Sequence, residues 1–135
     1  MFGDKHSKPQ NRIDSLIGAG TKVNGDVHFS GGLRVDGEID GNVTANLGKP
    51  STLVLSEHAR VEGAINVTHL VVNGVVTGPV YAADYLELQS KAKLIGDVHY
   101  KTLEIQLGAI IEGKLIHLAE GADKVVALKL SGTES

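Results

Sequence analysis

Apolar and polar residues alternate over runs of three to five positions along most of the chain. That is the period of a strand with one buried face, not the 3.6-residue beat of a helix. The runs are short, bounded by glycine, and they recur. The unit apolar-x-Gly-x-apolar is found at Val23-Asn24-Gly25-Asp26-Val27, Ile39-Asp40-Gly41-Asn42-Val43, Val61-Glu62-Gly63-Ala64-Ile65, Val76-Thr77-Gly78-Pro79-Val80, Leu94-Ile95-Gly96-Asp97-Val98 and Ile111-Glu112-Gly113-Lys114-Leu115. Successive glycines stand 16, 22, 15, 18 and 17 residues apart. A second column keeps the same register: Leu33-Arg34-Val35, Leu53-Val54-Leu55, Leu70-Val71-Val72, Leu86-Glu87-Leu88 and Leu103-Glu104-Ile105. A small residue, Gly37, Ala59, Gly74, Ala92 or Ala109, stands two positions before the apolar residue that opens each later unit. It marks a corner where a large side chain does not fit. Each repeat therefore predicts two or three short strands joined by tight corners. In the long interval, Leu47-Gly48-Lys49-Pro50-Ser51 predicts a surface turn inserted between strands.

A repeat of this length cannot bury its inward side chains alone and must stack on its neighbours. The expected fold is all-β: a single-stranded right-handed parallel β-helix of about six turns with short flexible N- and C-terminal tails. Equivalent residues then lie above one another at one strand spacing, about 4.8 Å. Val27, Val43, Ile65, Val80, Val98 and Leu115 form one buried ladder, in a rod about 29 Å long. Hexapeptide-repeat acyltransferases build a left-handed coil of the same kind, but they keep a strict six-residue beat. The wandering interval here favours the right-handed coil.

Composition fits a narrow bore. The 135 residues weigh 14.2 kDa, one domain's worth of chain, with 41% hydrophobic residues but only 4% aromatic ones. The core falls to Val, Leu and Ile. With no cysteine there are no disulfides, thiolate metal sites or cysteine nucleophiles. The net charge of −3 offers no field for a phosphate backbone, so no nucleic-acid partner is expected. No apolar run is long enough to span a membrane and no signal peptide is present, which points to a cytoplasmic protein.

Candidate chemistry is sparse. Of six histidines, His28 and His99 share one slot of the repeat, but four turns separate them, about 19 Å. His58, His69 and His117 fall in other slots and His6 in the N-terminal segment, so no metal is expected and the histidines read as surface residues. The slots flanking the motif glycine read as outward polar ladders without a catalytic carboxylate cluster. Gly18-Ala19-Gly20-Thr21-Lys22 lacks the glycine a phosphate loop needs before its lysine, so neither nucleotide nor other cofactor is implied.

The chain divides into an N-terminal tail (1–14), the coil (15–118) and a C-terminal tail (119–135). Met1 and Phe2 form an apolar tip followed by Lys5, Lys8 and Arg12, the minimal chemistry for touching an anionic bilayer. The stretch Val125–Leu130 either adds a strand or frays. No capping helix precedes Ile17 or follows Leu118. An uncapped coil presents strand edges and the cross-section of its core as a template for another copy, and end-to-end assembly is expected.

The Val-x-Gly-x-Val-type turns, the Met1-Phe2 opening and the short polar tails together resemble a bactofilin, a bacterial cytoskeletal protein. The resemblance implies a right-handed parallel β-helix that polymerises without nucleotide through the ends of the rod. It also implies binding to the cytoplasmic face of the inner membrane through Met1 and Phe2, helped by Lys5 and Lys8, and a scaffold that localises cell-wall or cell-shape factors with no catalytic residue. The polymer contacts map onto Ile17, Val23 and Val27 at one end and Leu115, Ile116 and Leu118 at the other. Two rival readings are a trimeric β-helix acyltransferase-like enzyme, with a site between subunits beginning at His28 and His99, and a monomeric binding module.

Overall fold

A computed structural model describes residues 12–46 and 48–119. The first turn is β1 (Ser15–Ile17), β2 (Lys22–Asn24) and β3 (Val27–Phe29), and the second is β4 (Gly31–Val35), β5 (Glu38–Asp40) and β6 (Val43–Ala45). β7 (Ser51–Leu55) and β8 (Arg60–Glu62) lead into β9 (Ile65–Val72), which closes the third turn and opens the fourth. β10 (Val75–Thr77) and β11 (Val80–Leu88) carry the chain into the fifth turn, completed by β12 (Lys93–Ile95) and β13 (Val98–Tyr100). β14 (Leu103–Ile105), β15 (Ile110–Glu112) and β16 (Leu115–His117) make the sixth. All pairings among the described strands are parallel and join equivalent positions of successive turns. The molecule is a β-solenoid of about six turns with three strand-bearing faces.

The expected columns are the observed ladders. On the first face Leu33, Leu53, Leu70, Leu86 and Leu103 stack in register, on the second Val23, Ile39, Val61, Val76, Leu94 and Ile111, and on the third the column from Val27 to Leu115. One correction concerns the last of these. Val43, Ile65, Val80 and Val98 are buried, but Val27 is only half-buried and Leu115 is 46% exposed. Among the described residues each has a neighbouring turn on one side only.

Backbone contacts between turns explain the glycine column. A Cβ on Gly63 would collide with the carbonyl oxygen of Gly41, and the same collision with the glycine one turn earlier recurs at Gly41, Gly78, Gly96 and Gly113. Gly63 also sits at φ +152°, in the region that side chains disfavour. Gly63→Ala is expected to cost about 3 kcal/mol or more. Gly20, whose Cβ position meets nothing within 4 Å, is the control. Equal thermal midpoints for the two variants would contradict this account.

The slot after each glycine holds a second ladder. The Asn42 N–H donates to Asp26 Oδ1 (2.9 Å), the Ala64 N–H to Asn42 Oδ1 (2.9 Å) and the Lys114 N–H to Asp97 Oδ1 (3.2 Å). Ala64 offers no acceptor, and one turn on stands Pro79, which has no N–H to satisfy.

Corner length explains the wandering glycine interval. The corners between the first and second faces are four residues long at 18–21, 56–59, 89–92 and 106–109, but two residues long at 36–37 and 73–74. The glycine intervals of 16 and 15 contain the two short corners. Short corners tuck beneath the preceding long one: a Cβ on Gly74 would lie 2.5 Å from the carbonyl oxygens of both Ser56 and Ala59. The inserted turn ends at Ser51, which is buried. It is tied down by exchange with Thr68: the Ser51 N–H donates to Thr68 Oγ1 (2.7 Å) and the Thr68 N–H to Ser51 Oγ (3.1 Å).

Candidate self-association surfaces

The two ends of the rod are cross-sections of its core. At the N-terminal end Ile17, Val23 and Val27 lie on β1, β2 and β3, each half-buried and each stacked on one turn only. At the C-terminal end Leu115 and Ile116 lie on β16, and Leu118 follows it, with its N–H donating to the Tyr100 carbonyl at 2.6 Å. Leu115 belongs to the inward column, whereas Ile116 continues the outward column of Tyr81 and His99 and sits on the rim.

The ends are larger than the sequence-based set. Ile13 (42% exposed) and Leu16 (61%) extend the N-terminal surface, and Ile105 (47%) and Ile110 (48%) the C-terminal one. Leu16 stands in register with outward Arg34, but the same column goes on to Val54 and Val71 before Glu87 and Glu104, so the position alone does not mark it. Leu107, 96% exposed, lies on the corner of the last turn. Met1, Phe2, Lys5 and Lys8 lie outside the described residues, as does the stretch 125–130.

Three of the described histidines lie beside tyrosine rings. His99 stacks on Tyr81 one turn away (5.2 Å between ring centres), His117 lies beside Tyr100 (5.5 Å) and His69 beside Tyr85 (6.4 Å). His28 pairs in register with Thr44, far from His99. Among the described residues no group of three or more His, Asp or Glu side chains is placed to hold a metal ion. No helix among them is long and apolar enough to cross a membrane.

Two charged groupings lie on the outside of the first face. The Tyr85 hydroxyl donates to Glu104 Oε1 (2.6 Å), and that bond, with burial and the nearby Glu87 charge, holds the phenol well above its usual range. Along the edge between first and second faces runs a groove of about 540 Å³, lined by Val54 and Val71 and by mostly polar residues that include Arg34, Asp36, Glu57 and His58. Its carboxylates are already paired. Glu57 accepts from Lys91 Nζ (3.2 Å) and lies 3.4 Å from His58 Nε2. Asp36 is held below its usual value by a hydrogen bond with Ser56 and by Arg34, 3.0 Å away, against the opposing effect of burial.

The repeat and its parallel ladders coincide with a known family. Residues 15–116 match the family model described as bactofilin, polymer-forming cytoskeletal. This chain belongs to the bactofilin family. Two bactofilins of Myxococcus xanthus (strain DK1622) are similar to it. BacP is 25% identical over 109 residues, covering 81% of this chain and 44% of BacP; BacO is 24% identical over 102 residues, covering 76% of this chain and 78% of BacO. The chain thus spans less than half the length of the first of these relatives. Among solved structures, the fold matches Thermus thermophilus bactofilin double helical filaments seen by cryo-EM (TM-score 0.64, 23% identity, 77% of this chain and 99% of that one). It also matches the cytoskeletal bactofilin BacA determined by solid-state NMR (TM-score 0.68, 25% identity, 81% of this chain and all of that one). The family model describes a polymer-forming cytoskeletal domain, which accords with self-association.

Proposed function

We propose that this bactofilin assembles end to end into nucleotide-independent filaments, lies on the cytoplasmic face of the inner membrane and positions cell-wall or cell-shape factors there. The observation that carries the first part is the pair of ends on which, among the described residues, no further strand stacks. Each exposes a parallel strand edge and a slice of Val, Ile and Leu core, and both are relieved at once by stacking on another copy. The solved Thermus relative, a filament, supports the same reading. Negative-stain electron microscopy of the purified chain, with neither nucleotide nor metal added, tests it. Long filaments are expected, whereas uniform small particles would defeat it.

The membrane part is supported by sequence chemistry. One Phe and a few cations bind an anionic bilayer weakly in a single copy, but many copies along a filament bind at high effective concentration. Deleting Met1 and Phe2 is therefore expected to release filaments from anionic liposomes in a sedimentation assay while filaments persist in the microscope. Unchanged co-sedimentation would remove the tip from the mechanism.

A further inference from the structure

β14 pairs with β11 on one side, and among the described residues no strand pairs with its other edge. Along that edge Leu103 is half-buried, Ile105 is 47% exposed, and exposed Glu104 stands in register with Glu87. The hydrogen bonds these two carboxylates accept come from neutral groups, the Tyr85 hydroxyl and the Gln89 amide. Such a seat fits a strand that reads apolar, cationic, apolar.

The chain beyond the described residues contains that sequence. Leu128-Lys129-Leu130-Ser131-Gly132 repeats the pattern of Leu33-Arg34-Val35-Asp36-Gly37 and Leu70-Val71-Val72-Asn73-Gly74, a first-face strand running into a two-residue corner. Each of those short corners follows a four-residue one, and its glycine is required. A Cβ on Gly37 would collide with the carbonyl oxygens of Gly18 and Thr21, and one on Gly74 with those of Ser56 and Ala59. The last described corner, 106–109, is again four residues long, and Gly132 is placed in the repeat to tuck against it in the same way. The pattern stops there. The next inward slot, held by Ile39 and Val76 after the short corners, would fall to Glu134. The connection 118–127 lies where the chain already carries the insertion before Ser51, and ten residues can reach about 30 Å, ample to turn that edge.

We propose that residues 128–130 dock on β14 of their own chain as a seventh first-face strand, with Leu128 over Leu103, Lys129 over Glu104 and Leu130 over Ile105. Two apolar pairs and one pair of opposite charges in register hold it. The added strand stands one spacing proud of the other two faces, so a copy stacking on this end must displace it. The segment is then a brake on assembly. The brake rests on the polymer reading; the docking does not.

The absence of cysteine makes a direct test clean. In the full chain Thr102→Cys and Ala127→Cys stand in register if the strand is docked, one spacing or about 4.8 Å apart and within disulfide reach. The control pairs Thr102→Cys with Ala122→Cys. Its loop is shorter, so an undocked segment closes it at least as fast. Oxidised in dilute solution and followed on a non-reducing gel, the first pair is expected to link within one chain about tenfold faster than the control. Equal rates, a faster control or a link between copies would overturn the docking. Leu128→Asp, which sets a charge in the inward column, is expected to remove the advantage of the first pair. It should also lower the concentration at which filaments appear by about tenfold, the size that three cross-strand pairs supply. An unchanged threshold would overturn the brake. If neither the parent nor Leu128→Asp forms filaments, the polymer reading fails, while the two linking rates still decide the docking.

Discussion

Val61→Asp is expected to unfold the coil. Val61 lies mid-rod on the second face, 1% exposed, stacked between Ile39 and Val76. A carboxylate there has no cation or hydrogen-bond donor inside a bore lined by aliphatic side chains. An uncompensated buried charge costs on the order of 4 kcal/mol, and the lost apolar contacts add roughly 2 kcal/mol. The sum rivals the whole stability of an ordinary domain. Cooperativity makes matters worse, because each turn of a solenoid relies on the two beside it. Far-UV circular dichroism should show loss of the β signal. Glu62→Lys, one residue along on the outer face, should stay within about 0.5 kcal/mol of the parent. The damage should also depend on pH. Burial raises the Asp pKa above its unfolded value, so the variant holds its proton at low pH and loses stability relative to the parent as pH rises through that folded pKa. A Val61→Asp chain as stable as the parent at pH 7 would mean that the second-face ladder is not the core.

Leu115→Lys is expected to separate assembly from folding. Leu115 is the last member of the third-face ladder, stacked on Val98 from one side and 46% exposed on the other. Its lysine replacement can keep its stem on the apolar edge and its ammonium in water, so the isolated rod should lose little. At a stacked end the same ammonium is buried against the neighbouring copy, at a cost of about 4 kcal/mol per junction, a thousandfold in association constant. Sedimentation and microscopy should show short rods in place of filaments, with the circular dichroism spectrum retained. Filaments of unchanged length would remove Leu115 from the polymer contact. A lost β signal would mean that the sixth turn needs Leu115 to fold.

The two variants differ although both residues are inward members of regular ladders. Val61 has a turn on each side and Leu115 has one. In a solenoid, burial is a property of the stack, and among the described residues one at the end of its column has a neighbouring turn on one side only.

The ladders were legible in the sequence because a solenoid makes its long-range contacts between equivalent positions. Once the glycines are aligned, Ile39 over Val61 and Leu53 over Leu70 follow without coordinates. So did the inserted turn before Ser51 and the separation of His28 from His99. The outward apolar residues were harder to read. Leu16 shares its column with Arg34, Val54 and Val71, and Leu107 its corner position with Ala19, Glu57 and Ser90, so neither position carries a clean polar pattern that would mark an exposed leucine.

By itself the sequence determined the fold class, the inward columns, the glycine seam and the family to which the chain belongs, because all of these are written as a period of alternating side chains. Only the tertiary structure decided how the corners stack. Two-residue corners at 36–37 and 73–74 lie beside four-residue corners at 56–59 and 89–92, and the groove over Val54 and Val71 lies along that edge. Its shape depends on the relative projection of neighbouring turns, a sum over several corners that no single repeat encodes. Exposure at the ends was decided in the same way, by how many turns the column contains on each side of a residue.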